Sequence, residues 1–278
     1  MNSIKTATQV KDKIKNIYAK TGIEPQFLQR NYMMERLLKR ISLSNYHDNF
    51  ILKGGLLIAY WVGFESRATM DLDGTIRNYP LNKDSMRIMF DEIIAIDSDD
   101  NIKFEIKSIE SINLESEYGG LRIFIFAYLD KMRIPLKVDV TIGDSVTPAP
   151  IEFIHELMFS GEKIALLSYN LETVFAEKLH SIIYHSTANT RMRDFYDIYM
   201  LYRLYRDKMD FNLIKIALAN TCITRETSFS DEEIYDILQA IEESNEICKL
   251  WNNYCAKNAY AIGIEWKETL NIARSLIC

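Results

Sequence analysis

Apolar residues recur every three to four positions through the first forty residues. Val10, Ile14, Ile17 and Tyr18 form one stripe, and Met34, Leu37, Leu38 and Ile41 form a second, which predicts two helices. Leu56 to Val62 predicts a helix opening directly after Gly54-Gly55, and Met86, Met89, Phe90, Ile93 and Ile94 predict another. The period then changes. Ile102, Phe104 and Ile106 alternate with Lys103, Glu105 and Lys107, the pattern of a half-buried strand. Leu121 to Leu129 is β-rich and almost continuously apolar, which predicts a central strand. Ile134, Leu136, Val138, Val140 and Ile142 alternate with polar residues and predict a third. Beyond Pro150 the strand pattern fades, and from Leu171 to Cys278 the period is helical. Gly143, Pro148 and Pro150 mark the boundary. The expectation is an α+β chain, with a mixed lobe over residues 1–160 and an all-helical lobe over 161–278.

Composition fits that picture. Of 278 residues, 48 % are hydrophobic and 26 % charged, the balance of a globular protein with a sizeable core. No apolar run approaches the ~18–20 residues of a membrane span, and the N-terminus lacks the apolar region of a secretory signal. Cys222, Cys248, Cys255 and Cys278 form no CxxC pair and read as reduced thiols in a cytoplasmic protein. The net charge of −6 argues against a generally basic nucleic-acid surface. Any RNA contact needs a local patch, for which Lys11, Lys13 and Lys15, or Arg191 and Arg193, are candidates. Acidic residues between Asp231 and Glu246 read as a solvated helix face, with docking of a basic partner as the alternative.

The candidate chemistry begins at Lys53-Gly54-Gly55. Two glycines before a helix let the backbone approach a ligand, and the free N–H groups at the helix start favour a phosphate. A structural turn is the competing reading. Asp71 and Asp73 lie two apart in an apparent strand and share a face, where two carboxylates repel unless a cation such as Mg²⁺ lies between them. Asp139 is either a third carboxylate from a neighbouring strand or a solvent-facing residue. Lys178 falls within the apolar stripe Leu171, Val174, Phe175, Leu179 and Ile182, which calls for a partner, a function or snorkelling at a rim. Glu177 and His180 point away from that stripe and read as exposed. Asp194 and Asp197 share a helix face with Ile198, Leu201, Leu204 and Tyr205; they either complement the helix dipole and pair with Arg191 or Arg193, or pair with Lys178 or meet a substrate. His47, His155, His180 and His185 lack metal-binding spacing, and no GxSxG, Walker or kinase motif occurs.

Four ordered segments, ILKGGLLIAYWVGFESRATMDLD, LKVDVTIGD, NLETVFAEKLHSII and RMRDFYDIYML, closely resemble the AbiEii/AbiGii-type toxins of the nucleotidyltransferase superfamily. These are toxin halves of bacterial type IV toxin–antitoxin, or abortive phage infection, pairs. The resemblance implies a polymerase β-like core with a mixed sheet and flanking helices, followed by a helical C-terminal lobe. It implies an NTP substrate, with GTP expected, dependence on Mg²⁺ or Mn²⁺, and nucleotide addition to RNA, in related toxins the 3′ end of tRNA. On this chain it would assign phosphate contacts to Lys53, Gly54, Gly55, Arg67, Lys178 and Arg191. Metal would go to Asp71 and Asp73, with Asp139 as candidate third ligand, and the essential acid of the last motif to Asp194 or Asp197. Gly55 departs from the pattern, since many relatives carry a serine there. No stable complex with the antitoxin is implied. Nucleotide transfer to a protein, and a non-catalytic nucleotide- or RNA-binding regulator, are the alternatives.

Overall fold

The computed structural model describes residues 4–112 and 119–277; Cys278 lies outside them. The chain divides into two compact units. Unit 1 comprises residues 1–143 and 150–168, and unit 2 comprises 144–149 and 169–278.

Unit 1 is a seven-stranded mixed sheet with helices. Helices α1 (Ala7–Thr21) and α2 (Pro25–Leu43) lead into β1 (Phe50–Lys53), α3 (Gly54–Val62), β2 (Leu72–Ile76) and α4 (Lys83–Ile94). Then follow β3 (Lys103–Ile112), β4 (Gly120–Leu129), β5 (Met132–Ile142), β6 (Ile151–Glu156) and β7 (Lys163–Ser168). The sheet order is β3-β4-β5-β2-β1-β7-β6. β2 runs parallel to β5, β1 runs parallel to β7, and β1 is antiparallel to β2. The apolar segment predicted as a central strand, β4, lies second from one edge, between β3 and β5. β6 and β7 did not stand out in the sequence: β6 is an edge strand with Ile151 and Ile154 half exposed, so it carries little apolar alternation.

One face of this sheet is lined by Leu72, Ile123, Ile125, Leu136, Val138 and Val140, all buried, with α2 packing on β5 and α4 on β3. On α2 the predicted stripe Met34, Leu37, Leu38 and Ile41 is fully buried. On α1 Val10 and Ile14 are buried, but Tyr18 is exposed. Burial of α2 extends to its polar residues, which are therefore paired. Arg40 donates to both Asp100 oxygens at 2.8 Å and to the Ile102 carbonyl at 3.0 Å. Glu35 accepts from the Met158 N–H at 2.7 Å and lies 3.0 Å from His155 Nε2.

Unit 2 is helical: α5 (Leu171–His185), α6 (Met192–Tyr205), α7 (Phe211–Thr224), α8 (Asp231–Glu243), α9 (Asn245–Lys257) and α10 (Trp266–Ile277), with short 3₁₀ turns between some of them. Its core is aromatic, with Trp266 against Phe195 and Trp251, and Tyr196 against Tyr254 and Tyr260. Residues 144–149 belong to this unit because Asn170 donates to the Thr147 and Ala149 carbonyls while Thr173 and Asn220 bond Thr147. The acidic residues at the start of α8 are exposed and lie in its first turn, where carboxylates complement the helix dipole. A Ser230–Glu233 capping box closes the turn. No helix among the described residues is long and apolar enough to cross a membrane.

The Arg40–Asp100 pair yields a stability prediction. Burial alone would raise the Asp100 carboxyl, but the Arg40 hydrogen bonds and charge, with Ser98 and the Ile102 N–H, hold it below its ordinary 3.8. Its stabilising contribution is therefore complete above pH ~4 and is lost as pH falls further. Asp100→Ala leaves a buried guanidinium without its acid and is expected to cost about 3–5 kcal/mol at neutral pH, read as a lowered Tm. The deficit relative to wild type should shrink on acidification.

Candidate active site

In unit 1 the pairing of β2 with β5 creates an acidic centre. Asp73 is the register partner of Asp139 on the adjacent strand and of Lys53 at the end of β1. Asp71 stands just before β2 rather than within it. All three carboxylates act on one another or on shared neighbours: Asp139 and Asp71 both push the Asp73 carboxyl upward. Burial is the main reason that carboxyl is raised, and the Gly55 N–H and the Lys53 charge oppose it.

The two glycines are explained by what lies against them. Gly54 has φ +67°, and a Cβ there would clash with the Asp73 carboxylate, with Asp73 Cγ only 2.7 Å away. Glycine is the residue that tolerates both constraints. Gly55, the next residue of α3, donates its N–H to Asp73 Oδ2 at 3.2 Å. A Cβ on Gly55 would lie 2.6 Å from Arg67 Nη1 and 2.9 Å from Thr69 Oγ1. Arg67 is buried, so this space is not easily vacated. A serine at this position would collide with Arg67, while the chain brings the Thr69 hydroxyl to the same place from the segment before β2. Sequence reading missed Thr69, because nothing in a linear pattern joins it to Gly55.

Two arginines balance the carboxylates. Arg122, on β4, donates to both oxygens of Asp139 at 2.8 and 2.7 Å. These bonds, with the fields of Asp71 and Asp73, hold its guanidinium firmly charged. Arg30, on α2, is pulled down by burial and held up by Asp71. The donor set fits a divalent cation: oxygen ligands only, concentrated where like charges already raise the Asp73 carboxyl. Asp71 and Asp73 are its natural holders, since both Asp139 oxygens are engaged by Arg122. Among the described residues no preformed group of three metal-ligating side chains occurs.

Unit 2 holds the second set of predicted residues. Lys178 of α5 is an ion-pair partner of Asp194 at 2.5 Å and of Asp197 at 2.9 Å, both on α6. Asp194 also accepts from Ser181 Oγ at 2.9 Å and pairs with Arg191 at 3.0 Å. Asp194 and Asp197 are buried, whereas the Lys178 side chain keeps 15 % exposure. The apolar lysine position is thus occupied by an ion pair, and α5 and α6 are tied through it. The inward stripe of α6 runs only to Leu201, and Leu204 is exposed near the helix end.

Two residues read as exposed are not. His180 is buried: Arg225 bonds its Nδ1 at 3.2 Å and Thr227 Oγ1 lies 2.8 Å from Nε2. Burial, then the charges of Arg225 and His185, push its pKa down to about 4, which keeps it neutral. Glu177 pairs with Arg225 at 3.3 Å. The segment after α7 folds back over this side of α5, a contact no local periodicity announces.

Comparison with known proteins follows from this geometry. The chain aligns with a candidate nucleotidyltransferase from H. pylori at 17 % identity and TM-score 0.48, covering 91 % of this chain and 95 % of that one. JHP933 from Helicobacter pylori gives 16 % and 0.48 over 91 % and 93 %. An antigenic nucleotidyltransferase-like protein from Paracoccidioides brasiliensis gives 14 % and 0.40 over 76 % and 92 %. No curated protein matches the chain. The family model described as nucleotidyl transferase AbiEii toxin, type IV TA system, matches residues 36–267, which span both the acidic centre and the Lys178 cluster. The chain belongs to the AbiEii family of nucleotidyltransferase toxins of type IV toxin–antitoxin systems.

Proposed function

We propose that this nucleotidyltransferase transfers a nucleotide from an NTP, with GTP the expected donor, to RNA, with the 3′ end of tRNA as acceptor, and that it uses Mg²⁺. The observation that carries the catalytic reading is the half-buried Asp73 carboxylate beside Asp71 and Asp139, pressed against Gly54 and Gly55. Such a group is unfavourable without a cation and is built where backbone can approach a phosphate. A divalent metal bound there would neutralise the triphosphate and favour ionisation of the attacking hydroxyl. The chain supplies the rest. Asp71 and Asp73 hold the cation, and the start of α3 with Lys53 offers N–H and ammonium groups to phosphate. Thr69 supplies the hydroxyl that Gly55 lacks. Arg122 holds Asp139 in place. In unit 2, Asp194 and Asp197 orient the Lys178 ammonium, and one of them is the essential acid of its motif. The family membership supports action as a toxin. A role in phage defence and a cytoplasmic location accompany this proposal.

Incubation with each α-labelled NTP, Mg²⁺ and total tRNA tests the reading. Label is expected in tRNA, strongest from GTP, and label entering protein instead would replace RNA as the acceptor. Asp71→Asn and Asp73→Asn should each lower transfer by several kcal/mol, about 10³-fold or more. Asp73→Asn should also raise the Tm of the metal-free protein at neutral pH. A carboxyl raised in the folded state stabilises below its unfolded pKa and destabilises as pH climbs through the folded one, and the amide removes that penalty. A third comparison separates the two acids of α6. Asp194→Asn and Asp197→Asn should each reduce transfer, and the larger loss identifies the essential acid, provided melting curves show both variants folded.

A further inference from the structure

Along β4 and the adjoining part of β5, the sheet of unit 1 has a second face that is only partly covered. Along β4, Ile123, Ile125, Ala127 and Leu129 are buried against the helical side, so Arg122, Phe124, Phe126 and Tyr128 point to the other. Their register partners on β5 are Asp139, Lys137, Pro135 and Arg133. Of these Lys137, Pro135 and Arg133 are exposed, and the three rings are half-buried. Arg133 lies 3.8 Å from the Phe126 ring centroid and Lys107 of β3 lies 5.6 Å from it. Arg30, Lys107, Phe124, Phe126, Pro135 and Lys137 line a groove of ≈ 270 Å³. The one carboxylate of β3 beside these rings, Glu105, is already bonded by Lys107 and the Tyr128 hydroxyl. The row ends at Arg122 and Asp139, so this surface continues along the sheet into the acidic centre.

We infer that the open face of β3, β4 and β5 is a platform for single-stranded RNA, with bases stacking on Phe124 and Phe126 and phosphates meeting Lys107, Arg133, Lys137 and Arg30. The inference rests on RNA as acceptor and names the surface that would lead its end to the acidic centre. Three observations point to a nucleic acid. The rings sit two residues apart on one strand, about 7 Å per step, and the Arg133 guanidinium already lies over Phe126, where a planar base could stack in its place. On β5 a cation stands opposite two of the rings, Lys137 at Phe124 and Arg133 at Tyr128, so charge and stacking surface adjoin. The chain as a whole is acidic at −6, so this cluster of cations is a local feature and not the general surface. An A-form duplex hides its base faces and would gain only the phosphate contacts.

Fluorescence anisotropy of a labelled single-stranded RNA oligonucleotide, against the same sequence as a duplex, tests this on the full chain. Phe126→Ala is expected to weaken single-strand binding about 5- to 150-fold, from the usual stacking contribution of one base. Phe126→Tyr should bind like wild type and so separate a lost ring from a disturbed strand. Arg133→Ala with Lys137→Ala should flatten the salt dependence by about 0.7 for each lost phosphate contact. Melting curves and NTP binding should match wild type in all three variants. Unchanged RNA affinity in folded Phe126→Ala, tighter binding of duplex than single strand, or displacement by an acidic peptide in preference to RNA would each overturn the inference. If label still enters tRNA while Phe126→Ala binds RNA like wild type, the platform fails and the RNA reading stands. If label enters protein in an Asp73-dependent way, the RNA reading fails and takes the platform with it.

Discussion

A half-buried carboxylate beside two others is the constraint around which unit 1 is arranged. Asp73 cannot be ionised there without compensation, because burial and the fields of Asp139 and Asp71 all oppose its charge. The surrounding residues each answer that demand. Gly55 donates its N–H, Lys53 contributes a positive field, and Gly54 removes the side chain that would strike the carboxylate. Arg122 neutralises Asp139 through two hydrogen bonds, and Arg30 senses Asp71 from α2. What remains uncompensated is charge that a divalent cation would offset.

The same physics takes a different form in unit 2. There the demand is set by a lysine on an otherwise apolar helix stripe, and it is met inside the protein by Asp194 and Asp197. A buried pair of this kind contributes little net stability over a well-packed apolar core, yet removing one partner is costly. Asp194 is tied further to Ser181 and Arg191.

The sheet that carries the acidic centre is covered unevenly. Its helical side is closed by α2 and α4, and the buried Arg40 of α2 is held there by Asp100. Its other side, from Arg122 out to Tyr128, ends in half-buried rings under cations. A protein with an excess of acids can thus still hold a surface suited to a polyanion, because potential depends on where charges sit and not on their sum.

Local periodicity determined most elements by itself. The stripes of α1, α2 and α4 and the alternation of β3 and β5 follow from side chains that must face one apolar side, a condition written into consecutive residues. Some motif residues were legible for a similar reason: Asp194 and Asp197 are three apart on α6, so their shared face follows from one element's geometry, whereas Asp71 stands just outside the strand of Asp73. Tertiary structure alone decided the rest. Asp139 became the neighbour of Asp73 only through parallel pairing of β5 with β2 across a long connection. Lys178 was given its acids by the packing of α5 on α6, and His180 its cover by the turn after α7. Edge strand β6 was illegible because a strand with little buried surface has little apolar pattern to show. Thr69 beside Gly55, and the rings of β4 beside the cations of β5, are meetings of distant residues whose physical cause, the register of the sheet and the path of the chain to β2, is not encoded in any short stretch.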